Sequence, residues 1–158
     1  MSNKHISLEV PPTKSSLYDR RGTVNYYNDK VVKKNEELFT GKSVIVILSP
    51  TPIALGHLLI APKRQIFKLV ELTENETLDI FILVQKMQLV MEKLLNKEIR
   101  CVIEDGLSAG QESKHFTVNL IPFSPENEFK MRQTLSQLVL PEHKVQELSE
   151  KIKDKMNE

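Results

Sequence analysis

Three polar side chains alternate along one short apolar run, His115-Phe116-Thr117-Val118-Asn119-Leu120-Ile121. Successive side chains on a strand take opposite faces. His115, Thr117, Asn119 and Ile121 therefore share one face while Phe116, Val118 and Leu120 turn to the core. Thr is at home in strands but Asn is depleted there, and a polar row beside a turn carrying Gly106, Ser108 and Gly110 fits a ligand site. The plainer reading is a half-exposed edge face whose polar groups are hydrogen-bonded. A threonine hydroxyl attacks only with a base beside it, whereas an imidazole with a pKa of about 6.5 is already unprotonated at neutral pH. His115 is the only candidate base on this strand, its Cα roughly 6 to 7 Å from that of Thr117.

The other reactive residue types give less. His57 follows Gly56 at the start of an apolar run, which suits a site residue and a buried, satisfied histidine equally. His5 and His143 read as solvent-exposed. Cys101, followed by Val102 and Ile103, reads as a buried, inert thiol in a reducing compartment, cytoplasmic or nuclear. Four histidines and one cysteine, widely spread, give no metal-ligand spacing, so neither a metal nor another cofactor is expected.

The elements that must position these residues follow from pattern. Val44 to Leu48 is a continuous β-branched run, typical of a strand covered on both faces. Pro50 and Pro52 make the following segment a connection, and His57 to Ala61 resumes as a strand stopped by Pro62. Thr73 and Glu76 form a capping-box start. The segment to about Asn96 carries Leu78, Phe81, Ile82, Met87, Val90, Met91, Leu94 and Leu95 at helical spacing, a stripe expected to cover a sheet. Cys101 to Ile103 and Phe116 to Ile121 supply two more strands. Pro141 opens a final amphipathic helix through Val145, Leu148 and Ile152. The fold class is α+β: an antiparallel sheet, one long helix packed on it, and a C-terminal helix. Residues 1–24, without apolar period, read as a flexible arm; residues 25–130 form the domain and 131–158 a helical extension.

Length and 40% hydrophobic content suit a single core. A formal net charge of +1 gives no global field toward nucleic acid or an anionic membrane. The longest apolar runs fall far short of the roughly 20 residues that a membrane helix needs. A mild basic excess in the first forty or so residues leaves open an arm that contacts RNA or an acidic protein.

Gly56-His57 with the strand Leu58 to Ala61, the long helix, and the run Asp105-Gly106, Ala109-Gly110-Gln111, Lys114-His115 through Pro122 together resemble the histidine triad superfamily. Similarity is greatest to the branch of fragile histidine triad dinucleoside-polyphosphate hydrolases. The resemblance covers roughly residues 36 to 130. It implies a strand of the form His-x-His-x-His whose middle imidazole attacks the α-phosphorus and forms a covalent nucleotidyl intermediate. Those positions are His115, Thr117 and Asn119, so the nucleophile position holds threonine. The ribose-contacting position eight residues before His57 falls on Ser49, and the one before Asp105-Gly106 falls on Glu104, a carboxylate that repels phosphate unless protonated or paired. His57, Gln111, Ser113 and His115 are retained, and the loop Gly110, Gln111, Glu112, Ser113 can still present amides and hydroxyls to a phosphate.

The resemblance thus implies a nucleotide site formed by Ser49, His57, Glu104, Gly110, Gln111, Glu112, Ser113, His115 and Asn119, with no catalytic residue expected. The function expected is that of a degenerate member serving as a binding or assembly subunit. Its ligand would be a purine nucleotide (AMP, GMP or a dinucleoside polyphosphate), and its partner a second copy or a larger protein or RNA assembly. The alternatives are an active hydrolase or nucleotidyl transferase with an atypical nucleophile, and a ribonucleoprotein factor using its basic arm.

Overall fold

In the computed structural model the described residues are 25–33, 35–123 and 140–157. The arm expected over residues 1–24 lies outside them. The chain divides into two units, Met1–Ser124 and Pro125–Glu158, and each is taken by itself.

In the first unit the β-branched run becomes β4 (Val44–Leu48), buried on both faces as its composition requires. It pairs on one side with β3 (Glu37–Thr40) and on the other with β5 (Leu58–Pro62), from Val44 opposite Pro62 to Leu48 opposite Leu58. β7 (Val118–Pro122) lies on β5, and β6 (Ile99–Ile103) closes the far edge, giving an antiparallel five-stranded sheet in the order β3-β4-β5-β7-β6. A separate two-stranded hairpin, β1 (Tyr26–Tyr27) and β2 (Lys30–Val31), precedes it. The α+β class is therefore observed.

The polar row was expected inside a strand from Phe116 to Ile121; the ladder begins only at Val118. In the β5–β7 register, Ile60 faces Val118, so Pro62 stands where Phe116 would pair. Proline has no N–H to give a ladder, and the Phe116 amide instead donates to the Ile66 carbonyl at 2.7 Å. His115 and Thr117 thus sit on the approach to β7. The expected alternation holds: Phe116, Val118 and Leu120 are fully buried.

The helix α1 (Glu74–Leu95) starts where the capping box places it. The Glu76 amide donates to Thr73 Oγ1, and the Thr73 amide donates to the Glu76 carboxylate. Arg64 closes this start with two bonds to Glu76, at 3.0 and 2.8 Å. That guanidinium, more than the Thr73 bonds, holds the Glu76 carboxyl down at about 2. The helix ends at Asn96 in the left-handed conformation, φ 50°.

The buried stripe differs from the expected one. Ile80, Leu83, Val84 and Met91 face the core, with Met87 and Leu95 packed beside them, whereas Leu78, Phe81 and Val90 are exposed and Leu94 is 77% exposed. The helix is apolar on nearly all sides, so two series fit a 3.6-residue period, and the sheet takes the one running through Ile80, Leu83, Val84 and Met87. This face meets Val44, Val46, Leu58, Ile60, Phe116, Val118 and Leu120 as one core. The opposite sheet face carries a second cluster, Val32, Ile45, Ile47, Leu59 and Ala61, with Tyr27 packed on it.

Cys101 is exposed, not buried. It lies at the centre of β6, which among the described residues is an edge strand paired on one side, and its apolar neighbours in sequence do not cover it. In the second unit α2 (Glu142–Met156) begins after Pro141 and has no buried residue. Among the described residues no helix is long and apolar enough to cross a membrane.

Candidate functional site

The face opposite α1 combines the apolar cluster on β4 and β5 with the polar row leading into β7. His115 is 1% exposed and has partners at both ring nitrogens. The Asn28 amide donates to Nδ1 at 3.1 Å, and Nε2 lies 2.6 Å from the Pro62 carbonyl oxygen. A backbone amide only donates and a carbonyl only accepts, so the ring is the neutral tautomer with its proton on Nε2. Burial pushes its pKa below the usual histidine range, against the Pro62 bond and the Asp29 charge, which act upward.

Thr117 is closed in the same manner. Its hydroxyl donates to the His115 carbonyl at 2.8 Å, so the Tyr27 hydroxyl, 2.9 Å away, is the donor to Thr117 Oγ1. The base role considered for His115 is thereby corrected: its only lone pair is taken by Asn28, and the Thr117 proton points at a carbonyl. Tyr27 also stacks on the imidazole, with ring centroids 5.1 Å apart and planes 22° from parallel.

His57, just before β5, repeats the arrangement. Its Nδ1 accepts from the Ile53 amide at 3.3 Å, and its Nε2 donates to Asn119 Oδ1 at 3.0 Å. Burial lowers its pKa, and the Asn119 bond opposes that. Asn119 faces Leu59 on one side and Val102 on the other in the ladder, and its amide reaches the Val102 carbonyl at 3.5 Å. The structure therefore brings His57 and Asn119 together across β5 and β7, and places His115 with Thr117 on the approach to β7.

The loop residues serve the loop itself. Gln111 accepts from the Gly106 amide at 2.6 Å and donates to the Phe67 and Ser113 carbonyls, both at 2.9 Å. The Ser113 hydroxyl accepts from the His115 amide at 3.0 Å. Gly110 has φ 93°, and a β-carbon there would stand 3.3 Å from Glu104 Oε1. Glu104 thus lies against the turn, its carboxyl pKa raised by desolvation and then by the charge of Glu112. Ser49 is buried at the end of β4 and accepts from the Thr51 amide at 3.2 Å. Among the described residues no buried side-chain nitrogen or oxygen lacks a partner, and no three metal-ligating side chains come together.

Comparison with known proteins places this geometry. A family model described as HIT domain matches residues 30–124, which is more than half of the chain. The chain belongs to the HIT domain family. A bis(5'-adenosyl)-triphosphatase of Dictyostelium discoideum is 30% identical over 101 residues, 63% of this chain and 68% of the relative. An asymmetrical bis(5'-nucleosyl)-tetraphosphatase of Schizosaccharomyces pombe is 33% identical over 97 residues, 61% of this chain, and the chain spans only 53% of that relative. Among solved structures, a diadenosine triphosphate hydrolase of Plasmodium falciparum superposes with a TM-score of 0.61 at 26% identity, covering 63% of this chain and 69% of the other. A histidine triad nucleotide-binding protein of Candida albicans shares the fold, with a TM-score of 0.65 at 22% identity over 79% of this chain and 90% of the other.

Sequence reasoning missed two residues that pack on the polar row, Tyr27 and Asn28. The signal was present: two short apolar pairs, Tyr26-Tyr27 and Val31-Val32, separated by Asn28-Asp29-Lys30 fit a short hairpin. Nothing in the sequence says that this turn docks on His115.

Proposed function

We propose that this HIT-family chain is a catalytically degenerate member that holds a purine nucleotide without cleaving it through a covalent intermediate, and acts as a binding or assembly subunit. One observation carries the reading. The hydroxyl at the nucleophile position has its proton on the His115 carbonyl and a lone pair on Tyr27, and neither His115 nor His57 keeps a nitrogen lone pair to activate it. Phosphorus chemistry at a hydroxyl needs that activation. The ligand class rests on relatives named as a bis(5'-adenosyl)-triphosphatase and a bis(5'-nucleosyl)-tetraphosphatase.

Calorimetric titration with AMP, GMP and diadenosine triphosphate, followed by product analysis of each cell, tests the reading; heat without product is expected. Product that disappears in Thr117→Ala would replace it with an active hydrolase using an atypical nucleophile, the reading that the names of the relatives favour. No heat and no product would remove the nucleotide altogether.

A further inference from the structure

Between β4 and β5 the chain runs Ser49-Pro50-Thr51-Pro52-Ile53-Ala54-Leu55-Gly56-His57. Two hydroxyls here stand immediately before a proline, and the folded loop treats them differently. Ser49 is only 8% exposed, and its oxygen accepts from the Thr51 amide at 3.2 Å. Thr51 is exposed, as are Pro50, Pro52 and Ile53 around it, and its hydroxyl has no hydrogen-bond partner among the described residues. From Pro50 to Ile53 the backbone makes no bond to other backbone among those residues. Its two amides go to side chains, Thr51 to Ser49 Oγ and Ile53 to His57 Nδ1 at 3.3 Å. Proline has no amide proton, and at position 52 it disfavours helical backbone at Thr51. A free hydroxyl on an open loop, followed by a residue without an N–H, is the substrate form that a proline-directed protein kinase accepts.

We infer that Thr51 is a phosphorylation site for a proline-directed protein kinase, and that its phosphate acts on His57 through the loop they share. Thr51 Oγ1 attacks the γ-phosphorus of Mg²⁺-ATP in the kinase cleft, and the bond from that phosphorus to the β,γ-bridging oxygen breaks. The hydroxyl proton passes to the kinase's catalytic aspartate as ADP leaves. A phosphothreonine carries about −1.5 to −2 charges at pH 7. Burial and the Asn119 bond set the His57 pKa, with no charged side chain among the described residues contributing, so the new phosphate is the dominant field at the ring. It favours the imidazolium. Protonation fills Nδ1, the atom that holds the Ile53 amide, while the Nε2 bond to Asn119 survives. The loop thereby loses a tie beside β5. This goes beyond the nucleotide reading and does not depend on it.

Incubation of the intact chain with Mg²⁺-ATP and, in parallel, a cyclin-dependent and a mitogen-activated kinase, followed by peptide mapping by mass spectrometry, tests the site. The chain has three hydroxyl–proline pairs, at Ser49, Thr51 and Ser124, the last outside the described residues, so the fragments must separate all three. Expected is phosphate on Thr51 in at least about tenfold excess over Ser49, whose burial requires the loop to open first. The Thr51 phosphate should vanish in Thr51→Val and in Pro52→Ala, an exposed pair of changes that leaves the core untouched. Equal phosphate on Ser49 and Thr51, or none on Thr51 with both kinases, overturns the site. In the phosphorylated chain, an NMR titration of the imidazole signals should show the His57 pKa raised by about 0.5 or more, with faster exchange of the Ile53 amide. Phosphate on Thr51 with the His57 titration unchanged overturns the coupling and leaves the modification site standing.

Discussion

A hydroxyl at residue 117 differs from an imidazole chiefly in needing a second group to take its proton, and the base considered for it, His115 Nδ1, is already occupied. Thr117→Ala is therefore expected to give no product from diadenosine triphosphate, as is the wild type, judged by nucleotide product analysis, while removing two hydrogen bonds worth about 1 kcal/mol each. Cys101 offers a second test at this scale. Its exposure predicts that one thiol per native molecule reacts with maleimide. Because partial burial raises its pKa above 9.0, the rate should climb steeply on moving to alkaline pH; a thiol that labels only after unfolding would contradict the edge-strand placement. The sequence suggested a buried cysteine because its neighbours are apolar. What decided the matter was the position of β6 at the sheet border, a tertiary fact without a local signature. The polar row itself was legible, since period-two alternation fixes which side chains share a face; its saturation was not, because Pro62, His57, Asn28 and Tyr27, which saturate it, lie 53 to 90 residues away.

Among the elements, α1 shows most plainly what pattern can and cannot decide. Its start was legible because a capping box is local chemistry, and Thr73→Ala should cost about 1 kcal/mol in denaturant unfolding. Its buried face was not, because apolar residues surround the helix and the sheet chooses among them. Ile80→Ala should then cost about 3 kcal/mol and Leu94→Ala less than about 0.5 kcal/mol; the reverse order would restore the expected stripe. The turn before the polar row makes a parallel case. Gly110 at φ 93° carries a strain for any other residue that substitution to alanine should register as about 1 to 2 kcal/mol. The strand register was the least legible element. That β7 opens at Val118 follows from Pro62 standing opposite Phe116, a pairing that exists only once the sheet has formed.

For the molecule as a whole, the buried ionisable groups set how stability follows pH. His57 and His115 both titrate below 6.5 in the fold, so the unfolded chain takes up protons first. Their contribution is complete above pH 6.5 and is lost as pH falls through the lower folded-state values. Glu76, held at about 2 against an ordinary 4.5, adds a second loss as pH falls below about 4.5. Urea unfolding from pH 7.5 to 3 should thus show stability declining in two stages, the second much reduced in Glu76→Gln; a flat profile down to pH 5 would mean that the histidines are not buried as described. The stacking of Tyr27 on His115 has a further consequence in light. The chain contains no tryptophan and three tyrosines, so its ultraviolet emission is entirely phenolic, and one of those phenols lies face to face with an imidazole. Unfolding would turn that asymmetrically held chromophore into a freely rotating one, and the protein would report the loss of this packing without a label.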